Sequence, residues 1–178
     1  MEKDFMNEKR RQVLQVLSEM PTRILSLHGR ENMAELVLHD LSHENCFNLK
    51  KAAYFVDNPD FNCLKGVAGI STPEIPKNLW VDVWSQDEMF SSYMRNSVFN
   101  KRVREFAQCS LKTDKIIGSQ EVRLLSNNLG IENPEYFSLN LKHGNNGLFI
   151  FERHSDDHKQ LNEHLSHGAS LLGFCPIF

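Results

Sequence analysis

The stretch that most constrains this chain is its last third. From Tyr136 to His143 (YFSLNLKH), apolar Phe137, Leu139 and Leu141 alternate with Ser138, Asn140 and Lys142. Strict alternation sends one set of side chains to each face of a pleated strand, so the run predicts a half-exposed strand. Gly144-Asn145-Asn146-Gly147 follows, and these residues tolerate the positive φ that a tight reversal needs. Gly147 to Arg153 (GLFIFER) is the returning strand. Ser155 then caps a final helix in which Leu161, Leu165, Ala169 and Leu172 form a core row. Asp156 and Asp157 fall in its first turn, where the helix dipole favours negative charge.

The rest of the chain is punctuated in the same way. Asp4 to Glu19 predicts a helix with Met6, Val13, Leu17 and Met20 along one stripe, stopped by Pro21. Thr22 to Leu27 continues helically toward Gly29, a C-terminal stop. Glu31 to Asn45 reads as an amphipathic helix with Met33, Leu36, Val37 and Leu41 on one side. Lys50 to Val56 (KKAAYFV) and Cys63 to Ile70 (CLKGVAGI) flank Asp57-Asn58-Pro59-Asp60 and predict a hairpin. Ser71-Thr72-Pro73-Glu74 is a helix start. Leu79, Trp80, Val83 and Trp84 recur at helical spacing, and Tyr93 to Gln108 predicts a helix with Met94, Val98, Arg102 and Phe106 in one row. Lys115 to Ile117 reads as a short strand, and Ser119 to Leu129 as a helix closed by Gly130. The order predicts an α/β chain of the α+β kind, a single domain over 1–178 built on a central antiparallel sheet of about five strands with helices on its faces.

Charge and cysteine usage narrow the function classes. The balance of 20 Lys+Arg against 23 Asp+Glu leaves −3, without the basic footprint that nucleic-acid phosphates require. Lys101, Arg102, Arg104, Lys112 and Lys115 make a local basic stretch, read as a solvated helix face. No apolar run reaches the roughly eighteen residues of a membrane span. Glu2-Lys3-Asp4 is the wrong chemistry for a signal peptide. Cys46, Cys63, Cys109 and Cys175 contain no CxxC pair and form neither a zinc ribbon nor a disulfide framework, which suits a reducing cytoplasm. Gly-rich phosphate loops, elbow-borne catalytic serines and EF-hand spacing are all missing from the sequence.

Two segments carry a family resemblance. Leu124 to Leu172 has a helix ending in Leu-Gly-Ile, a strand hairpin and a last helix, and Glu31 to Ile70 has a helix followed by two strands. Together they resemble the GAF/PAS-like sensory fold. Within it, Ile75-Pro76-Lys77-Asn78-Leu79-Trp80-Val81-Asp82-Val83-Trp84 is similar to the ligand-binding motif of LuxR-type autoinducer-binding domains, keeping a proline, a tryptophan and an aromatic residue four positions later. The resemblance implies that Trp80 donates its indole N–H to a lactone-like carbonyl and that Trp84 walls the pocket. Ile75 stands where that family has tyrosine, one extra residue precedes Trp80, and Tyr93 lies near the place of its ligand-binding aspartate. The chain has no residues left for the helix-turn-helix of such regulators. The resemblance therefore implies a small-molecule-binding sensory domain, quorum-sensing-like, without its own DNA-binding domain.

The candidate site residues are Trp80, Trp84, Tyr93, Tyr54, Ser138 and Asn140, around a cavity between sheet and helices that would hold a small, partly apolar organic ligand. Each has a plain alternative: the aromatic residues can be core, and Ser138 and Asn140 can face water. His154, His158, His164 and His167, with His143 nearby, could pair on a helix face, yet HExxH is missing and a solvated, pH-sensitive helix is the simpler reading. No metal and no cofactor are expected. A free-standing GAF domain can reduce methionine sulfoxide through paired cysteines, but no close cysteine pair lies on one loop here. The expectation is a non-enzymatic cytoplasmic sensor that forms a homodimer or meets a partner regulator through its helices at 4–19 and 155–172. The alternative is a protein-interaction module or anti-activator with a filled core and no ligand.

Overall fold

The computed structural model describes residues 2–79, 82–111 and 119–177. Trp80 and the strand expected at Lys115–Ile117 lie outside the described residues. The fold is α+β, built on a five-stranded antiparallel sheet in the order β3-β2-β1-β5-β4. Its strands are β1 (Leu49–Asn58), β2 (Cys63–Ser71), β3 (Ala107–Gln108), β4 (Glu135–Asn140) and β5 (Asn146–Arg153). The two hairpins meet at the centre of the sheet, where Ala52 pairs with Phe151 and Tyr54 with Phe149.

Helices cover both faces, as the element order predicts. On one side α1 (Glu2–Ser26), α2 (Met33–Ser42) and α6 (Asn162–Ser170) close over Tyr54, Phe149 and Phe151. Phe137 and Phe149 lie beside Phe151 with ring centroids 5.4 and 5.2 Å from it. On the other side α4 (Val98–Arg104) and α5 (Ser119–Leu129) pack on Ala53, Phe55, Leu148 and Ile150. This double coverage explains why β1 and β5 read as continuous apolar runs, whereas edge strand β4 alternates. Leu161, Leu165, Ala169 and Leu172 are all buried, as their spacing demands. Helix α5 ends in a Schellman arrangement, with Gly130 at φ +68° and the Ile131 N–H donating to Ser126 O at 2.9 Å.

Several expectations are corrected. Pro21 does not stop the first helix, which continues to Ser26 before Gly29 takes φ +89°. Pro21 faces solvent between buried Met20 and Ile24, so core contacts carry the helix through a residue that costs an isolated helix about 3 kcal/mol. Helix α2 is not amphipathic, because all ten of its residues are buried, including Glu35, His39, Asp40 and Ser42. Thr72-Pro73-Glu74 forms a single 3-10 turn rather than a helix start. Ile75 is extended (φ −79°, ψ 120°) because the following Pro76 disfavours helical backbone there. Leu79, Val83 and Trp84 are buried as their pattern implies, but they lie in a 3-10 turn and a plain turn.

The helix expected over 93–108 is two helices. Helix α3 (Asp87–Asn96) stops at Ser97, whose hydroxyl accepts from the Asn100 N–H at 3.1 Å and caps α4. The break rotates the buried face: Phe99, Asn100 and Val103 point inward, while Val98 is 65% exposed and Arg102 is exposed. Ala107 and Gln108, expected to end that helix, instead form β3. Gly66 and Gly69 let α4 cross β2 at backbone contact, since a Cβ on Gly66 would stand 1.7 Å from Val103 O. Among the described residues, no helix is long and apolar enough to cross a membrane.

Candidate functional site

Of the six residues expected to form a pocket, Trp80 lies outside the described residues, Tyr54, Trp84 and Tyr93 belong to one core cluster, and Ser138 and Asn140 lie on edge strand β4. Tyr54 is buried in β1, in the core beneath α2 and α6, and burial pushes its phenol well above the usual range. Trp84 is buried, and its indole N–H donates to Asp40 Oδ2 at 2.7 Å. Arg23 donates to the same oxygen at 3.2 Å, so Trp84 fastens the 83–86 turn to α2 and α1. Tyr93 is half-buried on α3, where burial foremost and then Glu74 push its phenol up to about 12. Ser138 and Asn140 are exposed on β4, opposite Leu148 and Asn146 of β5. None of these five lines the four clefts described below.

The two larger of these clefts share one lining residue, His154, which follows β5. One, of about 870 Å³, runs between the end of α5, the 131–135 segment and Arg153. The other, of about 550 Å³, is lined by Ser42, Asn48, Thr72, Lys77 and His154. The backbone positions His154: its N–H donates to Asn48 O at 3.2 Å, and Asn48 itself takes φ +51°. The His154 ring places Nε2 2.8 Å from Thr72 Oγ1, while Thr72 Oγ1 lies 3.2 Å from Lys50 O. A hydroxyl carries one hydrogen, so Thr72 donates either to Lys50 O or to an unprotonated Nε2, and the His154 tautomer decides which.

Ser42 is the most informative lining residue. It closes α2, it is 1% exposed, and its hydroxyl oxygen is buried with no hydrogen-bond partner among the described residues. An unmet buried hydroxyl carries a desolvation penalty of about 1–3 kcal/mol, and this one borders the second cleft.

The wall of the first cleft is rigid. Arg153 is buried; its Nε donates to Glu135 Oε1 at 2.9 Å, its Nη2 donates to Asn162 Oδ1, and its guanidinium lies 5.1 Å from the Phe151 centroid. Next to it, buried Glu152 holds Lys50 at 3.0 Å and accepts from the Glu132 N–H at 3.3 Å.

Two smaller clefts expose polar groups of α2. At one, Glu35 Oε1 accepts from Asn100 Nδ2 at 2.8 Å and from Arg104 at 3.2 Å, yet burial outweighs both and raises the carboxyl pKa. Asn100 also donates to Met94 O and accepts from the Gly69 N–H, so the cluster brackets α2, α3, α4 and β2 together. At the other, Asp40 lies 3.3 Å from His39 Nδ1, and burial foremost lowers the His43 pKa.

The histidines expected to cluster are dispersed. His143 is exposed at the turn between β4 and β5, His154 bonds Thr72, His164 is half-buried and His167 is exposed on α6; the side chain of His158 lies outside those described. Among the described residues, no group of three or more His, Cys, Asp or Glu could hold a metal ion. Cys46 and Cys175 are buried, and burial pushes the Cys175 thiol up to about 12; Cys63 is half-buried and Cys109 exposed.

Ser42, Asn48 and Thr72 escaped the reading of the sequence as site residues, and His154 entered it only as a possible metal ligand. Thr72 carried a signal, but one that matched a helix cap. Ser42 carried none, because a serine ending an amphipathic helix is unremarkable until its surroundings are known. Comparison with protein-family models, curated proteins and solved structures finds no match to this chain.

Proposed function

We propose that the chain is a non-enzymatic, cytoplasmic sensory domain of a signalling or transcription-regulatory system, and that a small polar organic molecule binds in the cleft lined by Ser42, Thr72 and His154. The observation that carries this reading is the Ser42 hydroxyl, buried, unpartnered among the described residues and bordering a cleft that also presents Asn48, Thr72 and Lys77. A ligand oxygen or nitrogen there would relieve the unmet hydroxyl, and His154 would feel occupancy of either cleft. The lactone-binding role implied by the LuxR-type resemblance is less well supported, since Trp84 commits its indole N–H to Asp40. Occupancy would be transmitted by a population shift to a homodimer interface or a partner regulator.

The test compares native and denatured masses of protein purified from its own host, beside Ser42→Ala and His154→Ala. One organic adduct per chain is expected in the unsubstituted protein, lost or strongly reduced in both variants. An adduct indifferent to both substitutions, or a clean protein mass, overturns the reading. The interaction-module alternative is favoured by one observation: Tyr54, Phe47, Phe149 and Phe151 leave the core beneath α2 and α6 filled. A clean mass with whole-protomer multiples or a stoichiometric protein partner is its expected signature.

A further inference from the structure

We infer that Cys63 and Cys109 form a cross-strand disulfide site at the edge of the sheet, oxidised by low-molecular-weight disulfides of the glutathione type. In the sequence these residues are 46 positions apart and suggest no pairing. The sheet register brings them together. Leu64 pairs with Gln108 and Lys65 with Ala107, where the paired ladder ends; Cys63 and Cys109, the latter at a bend, are each one position beyond its last pair. The phase of the ladder is given by the Gly66 N–H, which donates to Phe106 O at 2.9 Å. Hydrogen-bonded pairs alternate along an antiparallel ladder, which makes Gly66/Phe106 and Leu64/Gln108 the bonded kind and Lys65/Ala107 the other, the kind Cys63/Cys109 would be if the ladder ran one position further. Pairs of that other kind have Cα atoms about 4.5 Å apart with side chains on the same face, inside the roughly 4.4–6.8 Å span of a disulfide.

Accessibility separates this pair from the remaining thiols. Cys109 is exposed and Cys63 half-buried, whereas Cys46 and Cys175 are buried. The reaction runs in two exchanges. The Cys109 thiolate attacks oxidised glutathione, forming a mixed disulfide and releasing one glutathione thiolate. The Cys63 thiolate then attacks the Cys109 sulfur, closing the protein disulfide and releasing the second. Two protein thiols are oxidised, one small disulfide is reduced to two thiols, and the two protein protons pass through solvent to the released thiolates. The bond would tie β3, a two-residue edge strand, to the central hairpin.

The experiment treats the folded full chain with oxidised glutathione and maps peptides without reduction, beside Cys63→Ser and Cys109→Ser. The expected product is a monomer lighter by about 2 Da with a Cys63–Cys109 linked peptide, restored by excess reduced glutathione. Cys63→Ser should instead keep a glutathione adduct on Cys109, because the resolving thiol is gone. A persistent adduct on Cys109 in the unsubstituted chain, linkage to Cys46 or Cys175, or linkage between two chains overturns the assignment. Cys109→Ser checks the route: rapid modification of Cys63 there, matching that of Cys109, would overturn the order of attack.

Discussion

The C-terminal third and the stretch from Ser71 to Gln108 are equally rich in apolar residues, yet their sequences foretell their structures very differently. In the former, Leu139, Leu161, Leu165, Ala169 and Leu172 are buried as their period implies, although the last helix is α-helical only over Asn162–Ser170, with 3-10 turns on either side. In the latter, Leu79, Val83, Trp84 and Met94 are buried as expected, but the single helices drawn through them do not exist. Periodicity reports burial in both regions. It reports conformation only where no residue along the run prefers to break it, and Ser71–Gln108 contains two such breaks. Pro76 straightens Ile75, and Ser97 caps a new helix at a different angle.

Truncating each region in turn can break this comparison. Phe149→Ala, which removes one of the stacked phenylalanines, is expected to lose about 3–5 kcal/mol in urea unfolding. Trp84→Phe keeps most of the apolar area but strands Asp40 without its indole donor, and is expected to lose about 1.5–3 kcal/mol. Equal losses would mean that the irregular segment is packed as deeply as the hairpin, and the contrast would fall.

A smaller effect sharpens the account of the break. Ser97→Ala removes the cap on α4 and the hydroxyl that donates to Glu74 Oε2 at 2.8 Å, an expected loss of about 1 kcal/mol by the same measurement. Indifference to this substitution would show that the rotated face of Phe99 and Val103 alone sets the break.

The smallest expected effect is a dependence on pH. Burial raises the Glu35 carboxyl above its ordinary value of 4.5, so the folded chain holds a proton that the unfolded chain releases. Stability is therefore fuller below that ordinary value and declines as pH rises from it through the raised folded value. Glu35→Gln should flatten this part of the stability profile while keeping the amide within reach of Asn100. A profile unchanged by the substitution would assign the dependence to another group.

Legibility varied residue by residue for physical reasons. The hairpin of β1 and β2 was readable because Asn58 Oδ1 accepts from the Asp60 and Phe61 N–H groups at 3.1 and 3.3 Å, a contact made within a few residues. The stop at Gly130 was readable because a positive φ favours glycine wherever it occurs. Pro21 misled because its intrinsic penalty is local and the packing of Met20 and Ile24 is not. The cleft at His154 was unreadable for the same reason, since it assembles α2, β1, the turn after β2 and the end of β5, far apart along the chain.

The sequence by itself determined the α+β class, the two hairpins and the core rows of the last two helices, because each depends on neighbours within a turn or a strand. Tertiary structure alone decided that α2 is buried on every side, that Trp84 bonds Asp40 instead of facing a pocket, and that the short strand before Cys109 pairs with the strand that begins at Cys63. Those outcomes depend on which distant surfaces meet, and a hydroxyl, an indole or a thiol acquires its chemistry from the partner it is packed against.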